Sequence, residues 1–363
     1  LFVVEYVYTI RIYDICTHRS GLDASCANIP SPMEGAAAKN KKSEPKLLRN
    51  STVPSFRYYV GMAIATCFCA VYIGSPLYML TAIASLIFSY PTKEWSYIIA
   101  APLILSTLTK AKDMHWLVKL MEPMVDYFDY EEEFECSDEE LREHAKNGKS
   151  FIFATQPHGV ISFCGICAAI SAPVDNKVPT AAASAVLHTP IIKNVMGIFN
   201  LIDASSSSIR KHLKRDGVEG CLVLYVGGIA ELFKSSRKEE RLYLSKRKGF
   251  IKIALREGVD VVPSYMFGNT SVLTVVKNGP LAALSRRLQV SLTYFWGRYY
   301  LPIPRDEKLV LARGKPLGLP HIPEPTDEDV NKWHAKYCEE VTRLFDKYKE
   351  KLPMYKHKTL YID

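Results

Sequence analysis

Between Tyr58 and Thr92 the chain carries no charged side chain. An apolar run of that length is more than a buried helix of a water-soluble domain needs, and it reads as a membrane segment. Gly74, Ser75 and Pro76 sit near its middle and are expected to break a single straight helix. Each half is then shorter than the ~20 residues of a perpendicular span. Two arrangements remain open: a hairpin dipping into the bilayer, or two short tilted spans. A third apolar run, Trp95 to Leu108, contains Pro102 and fits either the membrane interface or the start of the next domain. Arg57 precedes the apolar stretch, and Lys93, Lys110 and Lys112 follow, which predicts both ends on the cytosolic side.

Residues 1–56 read as a tail. The sequence opens at Leu1, so its true start is expected to lie upstream. Leu1 to Ile10 is apolar but contains Glu5 and lacks a signal-peptide layout. From about residue 18 the tail is rich in Ser, Pro, Ala and Lys, which predicts disorder, and it ends basic at Lys39, Lys41, Lys42, Lys46 and Arg49.

Beyond the hairpin, taken as residues 57–110, the pattern changes. Tyr130 to Glu143 is strongly acidic and predicts a solvated surface. Phe151 to Thr155 predicts a strand, Val160 to Ile170 a packed helix, and Cys221 to Val226 a buried strand. Ser205 to Ser208 can cap a helix reaching about Asp216. Lys248 to Glu257 predicts an amphipathic helix and Val259 to Tyr265 another strand. Strand, turn and helix in repetition predict an α/β domain over 111–352, with a mostly parallel sheet and flanking helices. Thr326 followed by Asp327, Glu328 and Asp329 marks a helix start. Val330, Trp333, Tyr337, Val341, Leu344 and Tyr348 then repeat at helical spacing. Residues 353–363 are expected to be a short tail.

Composition narrows the partners. The 363 residues are 48% hydrophobic and 23% charged, with a net charge of +8. A basic chain favours anionic membrane, CoA phosphates or nucleic acid. No nucleic-acid motif accompanies the charge. Nine cysteines without scaffold spacing fit a reducing cytosol.

Sites in parallel sheets form at the carboxyl ends of strands. Two turns occupy such ends: Gln156-Pro157-His158-Gly159 and Gly227 to Glu231. His158 suits a general base near neutral pH, or a structural hydrogen-bonder. Gly227 and Gly228 offer amides to a phosphate or an oxyanion, or form a plain tight turn. Glu231 can orient His158 or sit on a helix surface. Lys234, Arg237, Lys238, Arg241, Lys246, Arg247 and Lys248 form a basic cluster that can meet phosphates or remain a solvated face. Cys164 and Cys167 lie at helical spacing as small apolar residues. There is neither a GxSxG elbow nor a Walker loop.

Taken in order, these blocks resemble the type 2 acyl-CoA:diacylglycerol acyltransferase family, which includes monoacylglycerol acyltransferases. The likeness runs from about residue 58 to 352. It rests on the hairpin, Pro157-His158-Gly159, Ser205-Ser206-Ser207, Val226-Gly227-Gly228 with Glu231, and Arg247-Lys248-Gly249-Phe250. Pro263 through Tyr265 to Phe267-Gly268-Asn269, Gly314-Lys315-Pro316 and Trp333-His334 complete it. The resemblance implies a glycerolipid-acyltransferase-like fold in the endoplasmic reticulum membrane, with both termini cytosolic; lipid-droplet residence and self-association are left open. It implies a diacylglycerol O-acyltransferase taking acyl-CoA and diacylglycerol to triacylglycerol, with no metal or other cofactor. It makes His158 and Glu231 catalytic. It places Gln156, Pro157, Gly159, Gly227, Gly228, Arg247, Lys248, Gly249, Phe250 and Asn269 around the substrates. Monoacylglycerol or a long-chain alcohol is the alternative acceptor, and a non-catalytic lipid-droplet protein is the remote alternative.

Three departures matter. The family's His-Pro-His-Gly begins here with Gln156, which cannot act as a base. Its Tyr-Phe-Pro reads Tyr127-Phe128-Asp129, so that loop is expected to differ. The related glycerol-phosphate acyltransferases carry an Asp five residues after the histidine, and Phe163 stands there. That counts against lysophosphatidate as acceptor and leaves Glu231 as the candidate orienter of His158. Sequons at Asn50 and Asn269 are expected to stay unmodified.

Overall fold

The structure, a computed structural model, describes residues 54–173, 178–228, 231, 239–276 and 294–363. The tail expected over 1–56 lies outside the described residues up to position 53, and the sequon at Asn50 with it. Helix α1 (Phe56–Phe88) is capped by Ser55, whose hydroxyl accepts the Tyr58 N–H. It runs unbroken through Gly74-Ser75-Pro76. Proline withholds one donor but keeps a helical φ, and here its ring is buried, so the helix continues where a break was expected. The reversal falls later. Ser89 adopts φ 50°, and Thr92 caps α2 (Lys93–Leu108). Trp95 to Leu108 is therefore the second arm of the hairpin. Within α2, the Tyr78 hydroxyl donates to the Ile99 carbonyl and accepts the Leu103 N–H, satisfying backbone groups beside Pro102.

At 33 residues α1 is long and apolar enough to cross a membrane. Its two halves have different surroundings. Tyr58, Ala65, Phe68 and Cys69 pack into one core with Met124, Tyr127 and Phe128. Arg57 pairs with Glu122 and Asp126. The distal part is bare: Leu80, Ile83, Ile87 and Phe88 are exposed, as are Trp95, Ile98 and Leu105 of α2. Removing such surface from water is worth roughly 25 cal/mol per Å², which favours a hydrocarbon surrounding for that end.

Short helices α3 (His115–Lys119) and α4 (Pro123–Tyr127) lead to the sheet. Its strands are β1 (Glu131–Phe134), β2 (Phe151–Gln156), β3 (Thr180–Ala182), β4 (Leu201–Asp203) and β5 (Leu222–Tyr225), with β7 (Asp260–Phe267) and β10 (Val310–Arg313). Their order is β1-β10-β7-β2-β5-β3-β4. The five strands from β7 to β4 are parallel, and β10 runs antiparallel to β7 with β1 alongside it. This is the mostly parallel α/β fold that the sequence predicts. Small pairs complete the strands: β6 (Glu240–Leu242) with β11 (Leu360–Ile362), and β8 (Thr274–Val275) with β9 (Phe295–Trp296).

Helix α5 (Asp138–Lys146) follows β1, and α6 (Phe163–Ser171) follows the Gln156–Gly159 turn. Then come α7 (Ser184–His188), α8 (Ile192–Met196), α9 (Ser206–Leu213), α10 (Gly249–Glu257) and α11 (Asn269–Val272). Last is α12 (Asp327–Lys349), which opens on the expected Thr326 capping box. One face of the sheet packs on α10 and α12, with Ile152, Ala154, Leu222, Tyr337 and Leu344 in the core. The other packs on α1, α4 and α6, through Phe128, Phe163, Cys164 and Met266.

Two expectations fail here. The acidic stretch is not simply solvated. Part of it forms edge strand β1, and Glu133 pairs with Lys351 while Glu135 pairs with Arg343 and Lys347 of α12. The basic face of α12 draws those carboxylates in. Nor is 353–363 a loose tail, since Tyr355 is buried and β11 pairs with β6.

Candidate active site at the carboxyl ends of β2 and β5

Strands β2 and β5 are direct neighbours, with Thr155 opposite Tyr225. The two sequence-predicted turns therefore meet at one edge. Side chains alternate along β2, so Ile152, Ala154 and Gln156 face α12. Gln156 is fully buried there, and its Oε1 accepts the Tyr337 hydroxyl at 2.5 Å. Its Nε2 is buried without a partner among the described residues. Gln156 is thus not on a substrate surface, contrary to expectation, because its place on the strand turns it to the opposite face of the sheet.

His158 lies past the strand end, half-buried, with its ring edge-on to Tyr225 at 4.7 Å. Nδ1 is 2.9 Å from the Gly159 carbonyl. A carbonyl only accepts, so Nδ1 carries the proton and the lone pair of the neutral ring is on Nε2. Nε2 has no hydrogen-bond partner among the described residues. Burial lowers the imidazole's pKa, against the opposing pull of the Gly159 carbonyl, so the ring is neutral at pH 7.

Glu231 comes to this turn, but not to the ring. Its Oε2 accepts the backbone N–H of His158 at 3.3 Å. The ring is oriented instead by the Gly159 carbonyl, so the expected carboxylate–imidazole pair is absent. Glu231 is 1% exposed, and burial pushes its carboxyl up to about 8, partly offset by N–H donors from His158 and Tyr243 and by the Arg247 charge. Its Oε1 is buried without a partner among the described residues. Gly227 makes room for it: a Cβ there would stand 1.7 Å from Oε1. The glycine at this position is explained by the carboxyl lying across it.

Asn269 holds the turn from the far side. Its Nδ2 donates to the carbonyls of Pro157 (3.0 Å) and His158 (2.5 Å), and its Oδ1 accepts the Cys164 N–H at 3.1 Å in the first turn of α6. At 1% exposure it is a clamp on the main chain rather than a substrate contact. Gly159, at φ 66°, passes close beneath this clamp, where a Cβ would stand 2.8 Å from the Asn269 carbonyl.

Of the Arg247–Phe250 block, only Arg247 faces the glycine turn. Its terminal nitrogen is 4.0 Å from where a Gly228 Cβ would be, and its Nε is buried without a partner among the described residues. Lys248 binds Asn331 of α12 at 2.6 Å, Gly249 opens α10, and Phe250 is core, edge-on to Tyr337. Lys248 and Phe250 thus belong to the α12 side, away from His158. Lys234, Arg237 and Lys238 lie outside the described residues.

Phe163 is fully buried against Phe128, with ring centroids 5.0 Å apart, so the position five after His158 is core. Asp129 adopts φ 43°, which proline cannot reach, and this accounts for its departure from Tyr-Phe-Pro. Cys164 and Cys167 are buried, and burial raises both thiols far above their ordinary values. They are packing residues. Tyr225 went unnoticed in the sequence. It shares the His158 face by strand alternation, its hydroxyl accepts from Ser162 at 2.9 Å, and burial pushes it up to about 12.

A half-buried imidazole at a strand end, beside a glycine turn and a buried carboxyl, gives this α/β protein a candidate site for proton transfer. The sequence profile described as diacylglycerol acyltransferase matches residues 106–363. The chain belongs to that family. Diacylglycerol O-acyltransferase 2 of Dictyostelium discoideum is 31% identical over 55% of this chain and 66% of that protein. The Homo sapiens enzyme of that name is 26% identical over 56% and 58%, and that of Danio rerio 26% over 59% and 65%. The matched stretch spans less than two thirds of each relative. A solved 1-acyl-sn-glycerophosphate acyltransferase from Thermotoga maritima overlays at 13% identity with a TM-score of 0.38, over 79% of this chain and 97% of that one. So loose an overlay carries no argument.

Proposed function

We propose that this chain transfers a fatty acyl group from acyl-CoA to the free hydroxyl of diacylglycerol, giving triacylglycerol. The observation that carries the reading is His158: Nδ1 tied to the Gly159 carbonyl, Nε2 open, and the ring neutral at pH 7. Nε2 takes the proton from the lipid hydroxyl as the oxygen attacks the thioester carbonyl. Main-chain amides at the glycine turn stabilise the oxyanion. The carbonyl re-forms, the C–S bond breaks, and the imidazolium returns the proton to the CoA sulfur. No acyl-enzyme is needed, and the raised thiols of Cys164 and Cys167 fit none. Arg247 is placed to meet a CoA phosphate. The enzyme works at the endoplasmic reticulum membrane, its α/β domain facing the cytosol and the bare end of the hairpin in lipid. Such an anchor also suits the monolayer of a lipid droplet.

The test is expression in yeast lacking its own triacylglycerol synthesis, beside His158→Ala. Microsomes receive labelled oleoyl-CoA with diacylglycerol, monoacylglycerol or fatty alcohol, each separately. Label in triacylglycerol that disappears with His158→Ala is the expected result. Label in diacylglycerol or wax keeps the chemistry and changes the acceptor. No product from any acceptor, with protein in the membrane, overturns the reading.

A further inference from the structure

The segment after α12 makes contacts that acyl transfer as described does not use. The Tyr355 hydroxyl, fully buried, accepts the Gly268 N–H at 2.8 Å. Three residues on, the Lys358 ammonium pairs with Glu240 at 2.8 Å and lies 4.1 Å over the Tyr355 ring. Lys358 is 5% exposed and Glu240 wholly buried. Glu240 also accepts the hydroxyls of Thr270 (3.1 Å) and Tyr265 (3.2 Å). β11 then pairs with β6, the strand that carries Glu240. Gly268 and Thr270 bracket Asn269, the side chain that clamps the carbonyls of Pro157 and His158.

A buried ion pair is a poor device for stability alone. Removing two charges from water costs several kcal/mol each, and apolar residues of equal volume often hold a fold as well. What apolar residues cannot supply is a directed acceptor. Here the acceptor is Glu240, aimed at the residue next to Asn269, and the Lys358 ammonium at 2.8 Å fixes its direction.

We infer that the segment from Tyr355 to Ile362 positions the turn that carries His158. Lys358 and Glu240 act as positioning residues that set Asn269, and through it the main chain at His158. This rests on His158 being the base.

The full chain in microsomes is assayed with oleoyl-CoA and diacylglycerol for kcat and KM, with thermal unfolding in parallel. Two double variants remove both charges together, so neither leaves a lone buried charge. Lys358→Met with Glu240→Gln keeps an oxygen for Thr270, and its kcat stays well above that of the next variant. Lys358→Met with Glu240→Leu removes that oxygen. It lowers kcat ten- to a hundredfold, the order expected when a reacting group is misplaced by about an ångström, with KM for oleoyl-CoA unchanged. Thr270→Val behaves like the leucine double, and Thr270→Ser like the wild type. Wild-type kcat in Thr270→Val overturns the inference, as does equal loss in both doubles in step with their melting temperatures. Where a double fails to fold, Thr270→Val against Thr270→Ser decides. His158→Ala separates the two readings: if it stays active, the base is wrong. If it is inactive while Thr270→Val is fully active, only the positioning role falls.

Discussion

Glu231 couples the site to pH in a direction opposite to most carboxyls. Burial raises it from an ordinary 4.5 to about 8, and unfolding returns it to water. The folded chain therefore holds this proton more tightly than the unfolded one. The stability tied to the group is complete below pH 4.5 and is lost as pH rises through about 8. Each unit of difference is worth about 1.4 kcal/mol, so the change across the window is on the order of 5 kcal/mol. Glu231→Gln mimics the protonated acid. Its carbonyl still accepts the His158 N–H, and it has no charge to bury. Denaturant unfolding from pH 5 to 8.5 on both proteins isolates the group as the difference between two curves. The difference between the two should be smallest near pH 5 and widen steadily until about pH 8. Because the neutral form is the working one, turnover at pH 7 should survive Glu231→Gln and collapse in Glu231→Ala. Parallel stability curves, or a glutamine variant as inactive as the alanine one, would refute the reasoning.

Other expectations follow from the same contacts. Gly227→Ala puts a Cβ 1.7 Å from the Glu231 carboxyl. It should lower both melting temperature and turnover, and pairing it with Glu231→Ala should recover part of the stability. Gln156→His should leave turnover within a small factor of wild type, since residue 156 faces Tyr337 and not the substrates; a large gain in rate would show that the first histidine of the family motif matters to the chemistry. Burial lowers the His158 pKa, so the neutral base persists at pH 7. The acid limb of kcat/KM should fall below 6.5. Protonating His158 in the unfolded chain also makes stability fall as pH drops below 6.5. Cys164→Ala with Cys167→Ala should remain active, and acyl label trapped on either thiol would contradict direct transfer.

Much of the fold was legible because its signals are local. The apolar run, the strand–turn–helix repeats and the Thr326 box each depend on a few neighbouring residues, and each appears in the structure. The turn of the hairpin lies past Gly74-Ser75-Pro76 because proline does not act as a breaker there. Inside a long apolar helix with a partner arm, one withheld donor does not outweigh continuation. The site was legible in part. His158 and the glycine turn could be placed at strand ends, but which face each residue takes needed strand parity. Counting back from Gln156 to Ala154 and Ile152 would have turned Gln156 into the core and brought Tyr225 beside His158. The roles of Asn269 and of Tyr355 to Ile362 could not be read, because their contacts join residues separated by more than 80 positions.

The acid that sequence assigned to the imidazole is spent on the main chain, and this shapes the chemistry. A carboxylate on Nδ1 would raise the ring's pKa and stabilise the imidazolium. Here a neutral carbonyl takes that place, Phe163 fills the position an aspartate holds in related enzymes, and Glu231 is itself protonated near pH 7. Each choice keeps negative charge away from His158. The ring is therefore a weaker base than a carboxylate-paired one, but the imidazolium it becomes is a stronger acid. In the proposed transfer, a thioester suits that balance. Attack needs only partial proton removal while the oxyanion forms, and the departing thiolate then draws the proton back. What the site must supply instead is placement, and the contacts converge on that. Glu231 holds the His158 N–H, Asn269 its carbonyl, Gly159 its Nδ1 and Tyr225 its ring edge. The proposed base has four constraints and no counter-ion among the described residues, so losing a main-chain hold should lower kcat without moving the acid limb of the pH profile.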